Sequence, residues 1–491
     1  MSRRALIRLY VAAPILLALL LAFNAARLSS RQIEVPRADE RGPDAMQAAQ
    51  RLAQAIRFQT VSHQDPGEFS ADAFDGLQGF LARSFPRLQA SLEKERISEF
   101  SLLYEWRGSD PELKPILLMA HQDVVPADPD TAMDWTHPPF SGDIADGFVW
   151  GRGALDDKDS VVALHEAVEA LLAQGFQPRR TVYFAFGHDE EVGGVTGSAR
   201  IAAALAARNV KLESVLDEGQ AVTMGIVPGF DRPVALIGIA EKGYLSLEFA
   251  VESEGGHSSM PPPHTAVGIL SAALVRLENN PFPTALTEPV REQLAFLAPE
   301  QGVWRRLVLG NLWLFAPLVE SQLAKAPATN ALIRNTIAPT MLEGSRKENV
   351  LPTRARAVIN FRLLPGTGTE ALIWRVKSII ADPRVRIAPV GTSRSEPSPV
   401  SSVESEAFQR LHRSVKAIFP EAVVAPSLVL GATDSRHFAS IADNVFRFKP
   451  TRLKREDLKR FHGIDERIAV QNYGESVRFY MRYLRDAAGQ P

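Results

Sequence analysis

Short apolar runs along this chain keep ending in histidine or acidic residues. Pro115–Ala120 leads into His121-Gln122-Asp123, Arg180–Phe186 into a turn bearing Asp189-Glu190-Glu191, and Ser214-Val215-Leu216 into Asp217-Glu218. Uninterrupted apolar runs of this length predict strands buried on both faces. Between the first two, Val161, Leu164, Val168, Leu171 and Leu172 form an apolar stripe that predicts a helix over Ser160–Gln174. Strand–helix alternation predicts a parallel or mixed sheet with helices on both faces. In open sheets of this kind, functional groups gather beyond the carboxyl ends of the strands.

Near Gly243 the pattern changes. Tyr244–Val251 and Ala355–Arg362 alternate polar and apolar, as strands with one covered face do, and helical stripes follow at Ala266–Leu277 and Thr369–Ala381. These units predict a small α/β sandwich inserted into the larger domain. The stretch Leu294–Leu323 is strongly apolar, with Phe296, Trp304, Trp313, Leu314 and Phe315. A pair of buried helices is the favoured reading; an apolar wall for a greasy ligand, or a surface that dips into a membrane, is the other.

At the start, Arg3, Arg4 and Arg8 precede an uncharged stretch, Leu9–Ala26, close to the shortest length that crosses a bilayer. It predicts a signal anchor, or else a cleaved signal peptide, with the body on the non-cytoplasmic side, periplasmic or extracellular. Residues 29–45 are polar and aperiodic and read as a tether. The predicted boundaries are 1–28 for the anchor or signal, 29–45 for the tether, 46–242 and 399–491 for the two parts of the catalytic domain, and 243–398 for the insertion.

Composition narrows the chemistry. With 491 residues the chain exceeds one ordinary core. A net charge of −2, with no basic run interleaved with aromatics, sets nucleic acid aside as a partner. The absence of cysteine leaves only nitrogen and oxygen donors for any metal.

Each cluster alone is a weak signal, but their order is specific. Gly-His-Asp-Glu-Glu (187–191), Gly-Gly-His-Ser-Ser (255–259) and Gly-Ala-Thr-Asp-Ser-Arg (431–436) resemble the dizinc aminoacylase, carboxypeptidase S and acetylornithine deacetylase family of metallopeptidases. The similarity is greatest to the branch holding carboxypeptidase S and the N-fatty-acyl-amino acid synthase/hydrolases, and runs from about residue 46 to the C-terminus. It implies an α/β fold: a three-layer mixed-sheet zinc-hydrolase domain with an inserted lid and dimerisation sandwich.

The resemblance also implies roles. His121 and Asp217 would bind one metal, Glu191 and His462 the other, and Asp156 would bridge them, followed by a cis peptide bond. Asp217 is followed by Glu218, and strand alternation favours Asp217 as the ligand. Asp123 would orient His121. Glu190 would be the general base. His257 would stabilise the oxyanion, reaching across a homodimer where one forms. Arg362 would grip a substrate carboxylate, with Asn349, Gly431 and Arg436 as further substrate contacts. Two Zn2+ are implied, with Co2+ or Mn2+ able to use the same donors.

The implied reaction is hydrolysis of the amide bond of an N-acyl amino acid, fatty-acyl if the apolar stretch lines the acyl site, and reversible when both products are abundant. An exported carboxypeptidase or dipeptidase acting on short peptides is the alternative. A non-catalytic anchored binding protein is the reading of another class; it requires a missing ligand or base, and none is missing.

Overall fold

Three of the apolar runs lie side by side in one sheet. The computed structural model of the chain describes residues 3–63, 65–391 and 394–489. Its principal strands are β1 (Glu93–Ile97), β2 (Ser101–Trp106), β3 (Ile116–His121), β4 (Val182–Gly187), β5 (Leu212–Asp217), β6 (Val222–Met224), β7 (Val234–Glu241), β8 (Gly243–Glu252), β9 (Thr336–Glu343), β10 (Arg354–Leu363), β11 (Arg386–Pro389), β12 (Val423–Val429), β13 (Ala442–Arg447) and β14 (Arg452–Lys454). Its principal helices are α1 (Arg3–Ala26), α2 (Ala45–Ile56), α3 (Lys158–Ala173), α4 (Ser198–Ala207), α5 (Ala266–Glu278), α6 (Glu288–Leu297), α7 (Val303–Leu309), α8 (Leu312–Leu323), α9 (Thr369–Ile380), α10 (Glu406–Ile418) and α11 (Val470–Ala488).

The large sheet has the order β1-β2-β4-β3-β5-β13-β7-β6-β14, with β12 beside β7. Strands β4, β3 and β5 are parallel neighbours, His121 level with Gly187 and Leu118 level with Leu216. Their carboxyl ends therefore open on one edge, which brings the polar endings together. Leu118, Phe184 and Phe186 pack under α2, α3 and α11, while Leu117, Met119, Tyr183 and Val215 pack under Ile201 and Leu205 of α4. Side chains alternate between faces along a strand, so a sheet covered twice needs an unbroken apolar run. Helices, sheet and helices make the three expected layers.

The antiparallel sheet β9-β10-β8-β11 forms a second body with its own core. Leu245, Leu247, Phe249 and Val251 of β8 and Ala357, Ile359 and Phe361 of β10 face Leu270 and Leu277 of α5 and Leu372 and Val376 of α9. Here one face only is covered, which is the alternation visible in the sequence.

Two expectations change. The apolar stretch Leu294–Leu323 is buried at Phe296 and Leu297, which join the core of the large body, and at Val319. Most of the rest is not: Trp304 is 80% exposed and Trp313 61%. Helix α8 adds Leu312, Ala316 and Leu323 to a small cluster around Leu286, Val290 and Ile333, whereas α7 buries no residue. The polar tether is also more than a spacer. The Gln32 amide pairs with the backbone of Val424 through two 2.8 Å hydrogen bonds, and the Ala38 N–H donates to Ala417 at 2.9 Å.

Among the described residues no helix is long and apolar enough to cross a membrane. The span expected over Leu9–Ala26 starts at residues 9–11, whose side chains lie outside the described residues.

Candidate metal centre

At the carboxyl edge of the large sheet, two clusters share one carboxylate. His121, Asp156 and Glu218 form one group with metal-ligand spacing, and Asp156, Glu191 and His462 form the other. The Asp156 Oδ1 lies 3.1 Å from His121 Nε2 and its Oδ2 lies 3.2 Å from His462 Nε2. The Glu218 Oε1 is 3.4 Å from His121 Nε2, and the Glu191 Oε2 is 3.3 Å from His462 Nε2. Each oxygen of one carboxylate thus faces a different imidazole, the arrangement a bridging ligand requires.

The electrostatics also fit cations. Burial, with crowding by neighbouring carboxylates, pushes Glu190, Glu191 and Glu218 above the usual carboxylate range, against the pull of the histidines. Hydrogen bonds to Asp156 and Glu191 push His462 up to about 10. Glu191 Oε1 is buried without a hydrogen-bond partner. A pocket of mutually repelling carboxylates with an orphaned oxygen is chemically suited to divalent ions held by nitrogen and oxygen donors.

Asp217 is not in either group. Continuing the register from Leu118 and Leu216 puts Asp217 beside Met119, two residues deeper in the sheet than His121. Its short carboxylate accepts from the Ser435 N–H at 2.8 Å and the Glu218 N–H at 2.9 Å. Glu218 lies just past the strand and has one more methylene with which to reach His121. The alternation argument for Asp217 assumed that the last strand residue is level with the site, and it is not.

Asp123 sits behind His121, its Oδ1 3.3 Å from His121 Nδ1. The same carboxylate accepts from Ser62 Oγ at 2.6 Å and from the backbone N–H groups of Glu190 and Glu191 at 3.2 and 3.1 Å. It therefore ties the histidine to the start of the Glu190–Glu191 turn. Glu190 is half-buried beside the two groups without belonging to either.

The residues expected to meet substrate come from several segments. The Arg362 guanidinium stacks over the Tyr244 ring at 4.7 Å, with Nε 3.3 Å from Asn360 Oδ1. Asn349 Oδ1 is buried without a partner. Gly431 is exposed, with open space where a Cβ would stand. Arg436 is already engaged, donating to the carbonyls of Thr433 at 2.8 Å and Gly193 at 2.7 Å. His257 is exposed on a two-residue ribbon paired with Val350–Leu351, its Nδ1 2.7 Å from Ser259 Oγ, and belongs to neither metal-capable group.

Several organising residues escaped the sequence reading. Glu466, buried, accepts from the N–H groups of Gly153, Leu155 and Asp156 at 2.9, 2.7 and 3.2 Å and from Arg152 at 2.6 Å. Arg152 also donates to the His462 carbonyl at 3.2 Å, so one ion pair sets both the Asp156 loop and the His462 loop. Lys449, also buried, donates to Asp157 Oδ1 at 2.6 Å and to the Leu155 carbonyl, and pairs with Asp159 at 2.8 Å. Asp157, at the start of α3, makes no capping bond; it is spent on Lys449 and on the His121 N–H. The Asp156–Asp157 peptide bond is cis.

The match to known proteins agrees with this geometry. The model of Peptidase family M20/M25/M40 matches residues 117–486. The chain is 41% identical to a "Probable carboxypeptidase S-like 2" of Dictyostelium discoideum over 95% of its own length and 91% of that protein's. It is 40% identical to the N-fatty-acyl-amino acid synthase/hydrolase PM20D1 of Homo sapiens, covering 89% of this chain and 87% of that one. Among solved structures, an M20 family metallo-carboxypeptidase, Sso-CP2 from Sulfolobus solfataricus, superposes with a TM-score of 0.66 at 19% identity, covering 89% of this chain and 98% of that one. With a family match spanning every residue of the two metal-capable groups, the chain belongs to Peptidase family M20/M25/M40 and is a metallohydrolase of that family.

Proposed function

We propose that this metallohydrolase cleaves the amide bond of N-acyl amino acids, with long acyl chains favoured, from a site on the non-cytoplasmic side of a membrane to which α1 attaches it. The observation that carries the hydrolytic reading is the pair of metal-capable groups sharing Asp156, with Glu190 beside them. The acyl preference draws on the likeness to the N-fatty-acyl-amino acid synthase/hydrolase. The likeness to carboxypeptidase S-like proteins favours the second reading, a carboxypeptidase acting on short peptides.

His121, Asp156 and Glu218 would hold one ion, and Asp156, Glu191 and His462 the second. Two zinc ions would polarise the scissile carbonyl and acidify the attacking water. Glu190 takes the proton from that water and returns it to the leaving amine, a task that suits a carboxylate whose pKa burial has raised. Asp123 fixes the His121 ring and, through two backbone N–H groups, the turn that carries Glu190. Arg362, held face-on by Tyr244, presents its guanidinium for the carboxylate of the amino-acid half. His257 would stabilise the oxyanion, reaching across a homodimer where one forms.

Rates on a panel of long-chain N-acyl amino acids and dipeptides, with purified metal-loaded enzyme, test the reading. Turnover of the acyl amino acids above the dipeptides is expected; the reverse order selects the carboxypeptidase reading. The ligand assignment makes its own prediction. Glu218→Ala should lose close to one metal per chain by elemental analysis, whereas Asp217→Asn, which leaves Glu218 in place, should keep both. Equal loss in the two variants would return Asp217 to the ligand set.

A further inference from the structure

Helices α7 and α8 present an apolar surface that the catalytic reading does not use. α7 has no buried residue, and in α8 only Val319 is buried. Val303, Trp304, Trp313, Leu314 and Leu318 are all exposed. Adjacent exposed side chains of this size form a patch that soluble surfaces rarely carry without a partner.

The corner between α7 and α8 grips the end of α1. Arg306 Nε donates to the Ala25 carbonyl at 2.7 Å, and its Nη2 reaches the Ala26 and Leu28 carbonyls. Asn311 Nδ2 donates to the Leu21 carbonyl at 3.0 Å, and Asn24 Nδ2 donates to Asn311 Oδ1 at 2.8 Å. Gly310 permits this approach, since a Cβ there would come within 3.0 Å of Leu28 and 3.3 Å of the Ala25 Cα.

What α1 faces therefore bears on what α7 and α8 face. Ile15, Leu16, Leu17, Leu19, Leu20 and Phe23 of α1 are exposed. At the helical repeat they span about 200° of its circumference, wider than the stripe one packed neighbour would cover. No charge occurs between Leu9 and Ala26, and hydrocarbon is the surrounding such a helix matches. At its exit Arg27, the residue directly after α1, is an exposed cation suited to lipid phosphates. The two exposed tryptophans lie on the helices whose corner holds this end of α1, and indole rings favour a membrane interface.

We infer that α7 and α8 dock on a phospholipid bilayer with Trp304 and Trp313 inserted at its interface, so that the body is held flat against the membrane beside α1. This rests on the proposed attachment through α1. It would place the enzyme where long-chain acyl substrates partition.

The absence of cysteine gives a direct test. Single variants Leu19→Cys, Trp304→Cys, Trp313→Cys and, as a control on an exposed loop, Lys347→Cys are made in the full chain. Each carries an environment-sensitive fluorophore and is reconstituted in vesicles containing phosphatidylglycerol and nitroxide-bearing lipid. The labels at 19, 304 and 313 should lose most of their emission to the lipid nitroxide and resist aqueous iodide, with 347 the reverse. Quenching at 19 with iodide access at 304 and 313 would overturn the inference and leave the anchor standing. No lipid quenching at 19 would overturn the anchor, and this inference with it. Protection of 304 and 313 from both quenchers would mean that protein covers them, a second copy included, and would overturn it too.

Discussion

Replacing Glu190 with alanine should lower turnover by about 10²- to 10⁴-fold, the range that a positioned proton carrier contributes. Protein yield, unfolding midpoint and metal content should stay near those of the parent. The separation follows from the geometry. Glu190 belongs to neither metal-capable group, and its backbone N–H, which donates to Asp123 at 3.2 Å, survives the substitution. The turn that carries Glu191 therefore keeps its anchor. The substitution leaves every member of both metal-capable groups in place, so metal content at saturating metal should hold. Single-turnover rates with whichever compound of the substrate panel turns over fastest, set beside elemental analysis of the same preparation, give both readouts. Activity within a few-fold of the parent would remove Glu190 from the proton path. Loss of metal in parallel with activity would make it a ligand instead.

What could be read from the sequence was whatever short-range pattern encodes. The apolar runs before His121, Asp189 and Asp217 became neighbouring strands because burial on both faces leaves an uninterrupted hydrophobic signature. The alternation in Tyr244–Val251 became a strand with one face packed, for the converse reason. His121, Asp156, Glu191 and His462 came together because the first three follow or precede such elements in motif order and the fourth lies in a motif of its own. Asp217 and Glu218 could not be separated that way. The choice depends on how far β5 extends relative to β3, which is a property of strand register and not of either segment alone. Lys449 and Glu466 were invisible for a related reason: each acts on a loop some three hundred residues earlier, and a buried lysine or glutamate carries no local mark. Helices α7 and α8 failed differently. Hydrophobic content signals removal from water, but does not say whether protein or lipid does the removing.

Glu466 is where the largest structural effect is expected. Its carboxylate collects three backbone N–H groups of the Asp156 loop and the Arg152 guanidinium, all out of water. Glu466→Ala leaves Arg152 as a buried charge without its partner, and strips three N–H groups of an acceptor. Breaking a buried pair from one side costs about 3–5 kcal/mol. The loss should not stay local, because Arg152 also holds the His462 carbonyl, so the bridging carboxylate and a terminal imidazole lose their placement together. The variant should therefore unfold at markedly lower denaturant and purify with little metal. Glu466→Gln separates the two consequences. Its amide oxygen can still accept from the Gly153 and Leu155 N–H groups, but it has no charge to balance Arg152. It should fold, bind metal more weakly than the parent, and recover turnover as the metal concentration is raised. If Glu466→Ala kept the parent's metal stoichiometry and unfolding midpoint, the Asp156 loop would be holding its shape without the buried carboxylate. The link drawn here between Arg152, His462 and the shared ligand would then be wrong.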